Sequence, residues 1–170
     1  KNMPSSSKTA SVIDLADTHL TDAKIKALSL KANEVRITLI EALTEAGSGH
    51  TAGPLGMADV FTYLYFPELR HDPKKPDWPE RDRLVLSNGH ICPVLYSAMA
   101  HAGYFGTDGV EKFKKTLRKY GSMFQGHPHR EFMPALDTSS GPLGSGLSQA
   151  VGMAIAERID AGRSYKKWIY

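Results

Sequence analysis

Apolar residues recur at three- and four-residue steps early in the chain, at Ile25, Leu28, Ala32, Val35, Leu39 and Leu43. That spacing gathers them on one face and predicts a long helix. Thr21-Asp22 supplies its start, because a short oxygen-bearing side chain accepts from otherwise unpaired backbone N–H groups. Ala46-Gly47-Ser48-Gly49 supplies its stop, since glycine takes positive φ at little cost. A second helix is predicted from Gly53-Pro54 through Phe66, followed by a Pro- and charge-rich loop from Pro67 to Arg83. Leu84-Val85-Leu86 is a short apolar run between polar residues, as a buried parallel strand would be. Further helices are predicted from about Ile91 to Ala102, from Gly109 to Tyr120, and from Pro142 to about Ala161. The last carries a small-residue face of Gly144, Gly146, Ala150, Gly152, Ala154 and Ala156, which permits close approach of a backbone or a ligand. Lys167-Trp168-Ile169-Tyr170 again has strand character.

With 170 residues the chain has room for one ordinary domain. We expect a poorly ordered, Ser-rich lead-in over residues 1–20 and a single partial domain over 21–170, with no internal repeat. The net charge of +3 is mild. The densest basic run, Lys112 to Lys119, reads as a solvated helix face rather than a nucleic-acid surface, because no aromatic stacking platform accompanies it. A single cysteine, Cys92, excludes an intrachain disulfide and fits a reducing compartment. No apolar run reaches about 18 residues, so no membrane-spanning helix is predicted. Neither is a signal peptide, and the cytoplasm is the expected location.

Proline recurs where helices should begin, in Gly53-Pro54, Cys92-Pro93 and Gly141-Pro142, and His50 and His90 lie just ahead of two of these starts. Proline suits a first helical turn, where its missing N–H would be unpaired anyway. Free N–H groups at helix starts favour anions, and a histidine beside them strengthens the hold. Spacing alone therefore leaves two readings: a site for a phosphate-bearing ligand, or ordinary turn punctuation. Other chemistries fit poorly. Gly141 to Gly146 matches neither the dinucleotide fingerprint nor a P-loop. Gly146-Leu147-Ser148-Gln149-Ala150 lacks the strand that a nucleophile elbow needs. No histidine pair has the spacing of a helical zinc site, so no metal ligand is assigned. Cys92, beside a helix start, is expected to be buried and inert rather than activated.

Four collinear segments carry a more specific signal. Ser48-Gly49-His50-Thr51-Ala52-Gly53-Pro54-Leu55-Gly56-Met57-Ala58-Asp59 resembles the first cofactor-domain motif of transketolases. Arg81-Asp82-Arg83-Leu84-Val85-Leu86-Ser87-Asn88-Gly89-His90 resembles the second, Gly126-His127-Pro128 the third, and Ser140 to Ala154 the fourth. The likeness extends from Thr21 to Tyr170. It departs at Thr51-Ala52-Gly53, where many relatives place proline directly after the histidine, and at His129-Arg130-Glu131, which takes no role from the family.

The resemblance implies an α/β thiamin-diphosphate-binding fold, a parallel sheet flanked by helices and incomplete at its C-terminal end. It implies that His90, Gly141, Pro142 and Leu143 bind the cofactor, and that His50 and His127 meet the sugar as catalytic groups. The implied reaction is the transfer of a two-carbon ketol unit from a ketose phosphate to an aldose phosphate, as in the pentose phosphate pathway. The family's Mg2+ ligands, a Gly-Asp-Gly turn and a later asparagine, are expected outside this chain. So are the pyrimidine-binding and C-terminal domains. The chain is thus expected to be inactive alone and to work within a homo- or hetero-oligomer, as a split subunit or as a piece of a longer polypeptide. The alternative is a non-catalytic relative that acts as a binding or scaffold partner.

Overall fold

The computed structural model describes residues 19–162 and 167–170; most of the expected Ser-rich lead-in, residues 1–18, lies outside the described residues. Helix α1 spans Asp22–Ala46, with Thr21 Oγ1 accepting from Lys24 N at 3.2 Å and Gly47 closing it at φ 64°. Its buried stripe runs through Leu28, Ala32, Val35, Leu39, Ala42 and Leu43. Ile25, expected on that stripe, is 48% exposed, and Lys24 is buried in its place. Helical geometry explains the change: stepping back one turn of about 3.6 residues from Leu28 along the stripe arrives at residue 24.

The helix predicted from Gly53 to Phe66 is broken into α2 (Ala52–Gly56), α3 (Ala58–Tyr63) and a π-helical turn at Leu64–Glu68. Gly53 and Gly56 weaken a helix interior. The wide turn, closed by Leu69 N to Leu64 O at 2.8 Å, accommodates Pro67, which has no N–H to give. A tight turn at Gly89–Ile91 leads into α4 (Cys92–His101) with Pro93 in its first turn, as predicted. Helix α5 (Gly109–Thr116) is shorter than predicted, because Leu117 turns extended and Arg118 then takes φ 62°. Helix α6 is Ser145–Ala161, so Pro142 lies ahead of it rather than in its first turn. No helix among the described residues is long and apolar enough to cross a membrane.

Helix α4 forms the centre. Every side chain from Cys92 to Ala100 is buried, and α1, α3 and α5 pack around it. Phe124 meets the edges of Tyr96, Phe105 and Phe113 at 5.5, 4.9 and 5.3 Å between centroids. Each fully buried apolar side chain of this kind contributes about 1.5–3 kcal/mol. Helix α6 is different. Of its residues only Gly146 is buried, while Leu147, Val151, Ile155 and Ile159, spaced every fourth residue, stand exposed. Its far end is held by the Glu157–Lys167 ion pair.

The predicted parallel sheet is represented among the described residues by one parallel bridge, Arg83 with Ile169. Arg83 N donates to Trp168 O, Tyr170 N to Arg83 O and Val85 N to Tyr170 O, each at 2.9 Å. Leu84 to Leu86 and Lys167 to Tyr170 thus run side by side as the strand reading expects, without forming a strand of their own.

A buried polar clamp fixes this region. The Arg81 guanidinium donates to both carboxylate oxygens of Asp137, at 2.7 and 3.0 Å, and Leu84 N donates to Asp137 at 2.9 Å. Asp82 accepts from Arg70 N at 2.8 Å and from Trp168 N at 2.9 Å. Beside the clamp, Tyr104 OH hydrogen-bonds His71 Nδ1 at 2.9 Å, and His71 Nε2 lies 2.8 Å from Tyr65 O. A carbonyl only accepts, so Nε2 carries a proton, and in the neutral ring Tyr104 OH donates to Nδ1.

Burial, above all, pushes the His71 pKa below its usual value, with Arg81 adding to the shift, and burial does the same for His101. In the unfolded chain both rings protonate near pH 6.5. Stability is therefore full above that pH and falls as the pH drops from about 6.5 toward the lower folded values. Urea midpoints measured between pH 8 and pH 5 should show this decline. His71→Phe should flatten part of it, and an unchanged slope in that variant would mean that His71 protonates freely in the folded state.

Candidate active site

Four turns, each delivered by a helix end or a tight loop, meet at one place. His50 follows the glycine stop of α1 and is exposed, whereas His90 lies half-buried in the turn before α4. Their rings are 4.9 Å apart, edge to face at 61°. His127 shares a cavity of about 490 Å3 with His50, Arg118, Gln125, Gly126, His129 and Phe132. Gly141 completes the set: a Cβ placed on it would have only His127 Cδ2 nearby, at 3.9 Å. A Cβ on Gly89 would lie 2.6 Å from Ser140 O and 3.0 Å from Gly141 Cα, so the second and fourth motifs touch through backbone. The structure therefore gathers His50, His90, His127 and Gly141. Pro142 and Leu143 are exposed just beyond, with Leu143 72% exposed.

Ser87, part of the second motif but given no role from sequence, is the clasp. It accepts from Gly144 N at 3.0 Å through its carbonyl and from Leu147 N at 3.3 Å through its hydroxyl. Gly146 lies flat on it, since a Cβ there would fall 2.6 Å from Ser87 Cα. Of the small residues expected to allow close approach, Gly146 fulfils that role here, while Gly144 and Gly152 have nothing within 4 Å of a Cβ position. The third motif is joined by Ser140 N to Pro128 O at 3.1 Å and by Cys92 Sγ to Gly126 O at 3.2 Å. Cys92 is buried, and that burial pushes its thiol up to about 12, so almost no thiolate forms at neutral pH and the inert reading holds.

The arrangement offers imidazole donors over an open floor of backbone. Gly141 leaves space where a side chain would stand, and the buried Ser140 Oγ has no hydrogen-bond partner among the described residues. Both features fit a flat, polar cofactor laid against Gly141. Among the described residues no group of three or more His, Cys, Asp or Glu side chains is set to hold a metal ion. A larger cavity, about 620 Å3, lies between the C-terminal half of α6 and Lys167 to Ile169, lined by residues such as Arg158 and Trp168. None of the motif histidines reaches it, so its size does not make it the site.

The family of the transketolase, thiamine diphosphate binding domain matches residues 28–167. The transketolase of Buchnera aphidicola is 46% identical over 127 residues, covering 75% of this chain and 19% of that protein. The transketolase of Rhodobacter capsulatus is 43% identical over 138 residues, covering 81% and 20%. Among solved structures, transketolase from Leishmania mexicana superposes with a TM-score of 0.78 at 33% identity, covering 89% of this chain and 22% of that one. Pichia stipitis transketolase in complex with sedoheptulose 7-phosphate superposes with a TM-score of 0.74 at 36% identity, covering 85% and 22%. The chain thus spans about one fifth of the length of these relatives. With the four motifs meeting in space and the match running through them, the chain belongs to the transketolase family, within its thiamine diphosphate binding domain.

Proposed function

We propose that this chain supplies the diphosphate-binding half of a site that transfers a two-carbon ketol unit from a ketose phosphate to an aldose phosphate, within an assembly that carries the remaining domains. The convergence of His50, His90, His127 and the bare backbone of Gly141 carries this reading. In it, His90 donates to the diphosphate, and Gly141, Pro142 and Leu143 lie along the cofactor. Mg2+ is held by ligands from outside this chain. When bound, thiamin diphosphate supplies the carbanion stabilisation that no side chain here provides.

His50 and His127 then act on the sugar. A positioned imidazole that donates to a developing alkoxide or relays a proton speeds such a step by ~10²–10⁴-fold. The sugar phosphate seen with the Pichia stipitis relative supports the substrate class. The buried single thiol supports a reducing, cytoplasmic setting.

The test is a ketol-transfer assay on the assembly that contains this chain, with and without thiamin diphosphate and Mg2+. Cofactor-dependent transfer is expected. His90→Ala should weaken cofactor binding about 10- to 100-fold, the loss of a charge-assisted hydrogen bond. His127→Ala should lower turnover by about 10²-fold or more with cofactor affinity intact. A scaffold role would instead leave no transfer under any of these conditions.

A further inference from the structure

We propose that His129 is a specificity-determining residue that reads a hydroxyl group on the carbon chain of the sugar, with the Phe132 ring as its backing. This rests on the ketol-transfer reading above, and it gives a role to a residue that takes none from the family likeness. His129 lines the same cavity of about 490 Å3 as His50 and His127, and no aspartate or glutamate among the described residues lines it. Its Nδ1 is shut away from solvent without a hydrogen-bond partner among the described residues. Nε2 is then the nitrogen that the ring offers to the cavity. A buried N–H without an acceptor is rare, so a neutral ring in this setting carries its proton on Nε2 and donates.

The ring is anchored. It lies against Phe132, with centroids 4.8 Å apart and planes tilted by 42°. The His129 carbonyl accepts from Phe132 N at 3.1 Å and from Met133 N at 3.0 Å, and Met133 is fully buried. On one side of it, Pro128 O accepts from Ser140 N at 3.1 Å. On the other, Arg130 N donates to Ser139 Oγ at 2.9 Å and Arg130 Nε to Leu136 O at 3.2 Å. The donor is therefore set before a ligand arrives, which lowers the ordering cost of binding.

The surroundings select the kind of group. A charged group set against the phenyl face would lose hydration. A hydroxylated carbon chain can instead lay its C–H groups on the ring while its oxygen accepts from Nε2. Position then selects the part of the sugar. Only His127 comes within 4 Å of the Cβ position of Gly141, so the wall of His129 and Phe132 stands back from the floor assigned to the cofactor. Phe132, 54% exposed, marks the rim. This wall meets the chain beyond the reacting carbonyl, a stretch that donor and acceptor share.

The assembled enzyme and its His129→Phe and His129→Asn variants would be compared on an aldose acceptor and on deoxy counterparts that each lack one chain hydroxyl, with thiamin diphosphate titrated directly. His129→Phe keeps a ring against Phe132 and removes the donor. It should lower kcat/KM for the full aldose about 10- to 100-fold, chiefly through KM. For one deoxy sugar, which the parent already uses poorly, kcat/KM should not change, and neither should the cofactor Kd. His129→Asn should recover part of the loss on the full aldose. Equal losses on the full and every deoxy sugar would overturn the proposal in favour of a packing role, and a raised cofactor Kd alone would overturn it by moving the contact to the cofactor. Unchanged constants throughout would also overturn it while leaving the ketol-transfer reading intact. Absence of transfer by the parent enzyme itself would overturn both.

Discussion

Replacing Asp137 with alanine is expected to remove about 3–5 kcal/mol of stability, the usual cost of leaving one member of a buried ion pair without its partner. The Arg81 and Asp137 side chains are each only 7% exposed, so water cannot replace the lost carboxylate. The substitution also strips the acceptor from Leu84 N and a second contact from Arg83 at 3.2 Å. Domains of this size hold about 5–15 kcal/mol in total, so the loss is a large share of what keeps the chain folded. Urea denaturation should show the midpoint falling with a constant slope. Asp137→Asn should be milder, since its carbonyl still accepts from Leu84 N. A shift below about 1 kcal/mol for the alanine variant would mean that the arginines find other partners.

Gly141→Val should abolish cofactor binding while the protein folds normally. Its Cβ position meets only His127 Cδ2 at 3.9 Å, so the added atoms enter open space beside His127 rather than the core. Gly141 also precedes Pro142, a setting that favours extended backbone, which valine adopts readily. We expect affinity for thiamin diphosphate to drop more than about 100-fold, a loss of roughly 2.7 kcal/mol or more, with an unchanged circular dichroism spectrum and melting temperature. Gly89→Ala makes the contrast. Its methyl group would press on Ser140 O at 2.6 Å and the Ser140 carbonyl carbon at 2.8 Å, so it should cost stability, about 1–3 kcal/mol. Normal cofactor affinity in Gly141→Val would show that the cofactor lies elsewhere.

Much of this was legible in the chain itself. The periodic face from Leu28 to Leu43, its threonine start and its glycine stop describe α1 closely, because local hydrogen bonding and one buried stripe decide a long helix. The start of α4 was equally clear. Ile25 was misplaced because apolar character was weighed above helical angle, and Lys24 holds the buried position. The end of α5 was overrun because nothing in Leu117-Arg118 announces a left-handed turn; that turn depends on Phe124, which is brought in by tertiary packing. At the candidate site, the family-like motifs pointed to His50, His90, His127 and Gly141, which the structure brings together. Their separations in sequence say nothing of the 4.9 Å between the rings of His50 and His90. The clasp at Ser87 was missed for a similar reason. A serine in a turn is ordinary, and its partners at Gly144 and Leu147 come from the far end of the chain.

The contrast between α4 and α6 sets how the molecule breathes. Amides of α4, sealed on every side, can exchange with solvent deuterium only when the whole fold opens. Those of α6 are secured among the described residues at one end by Ser87 and near the other by the Glu157–Lys167 ion pair, so the helix can fray as a unit of its own while the centre stays closed. Because the Gly141 turn is continuous with α6 through Gly144, each such excursion loosens one wall of the site. Occupancy of that wall and protection of the α6 amides are then two readings of one equilibrium.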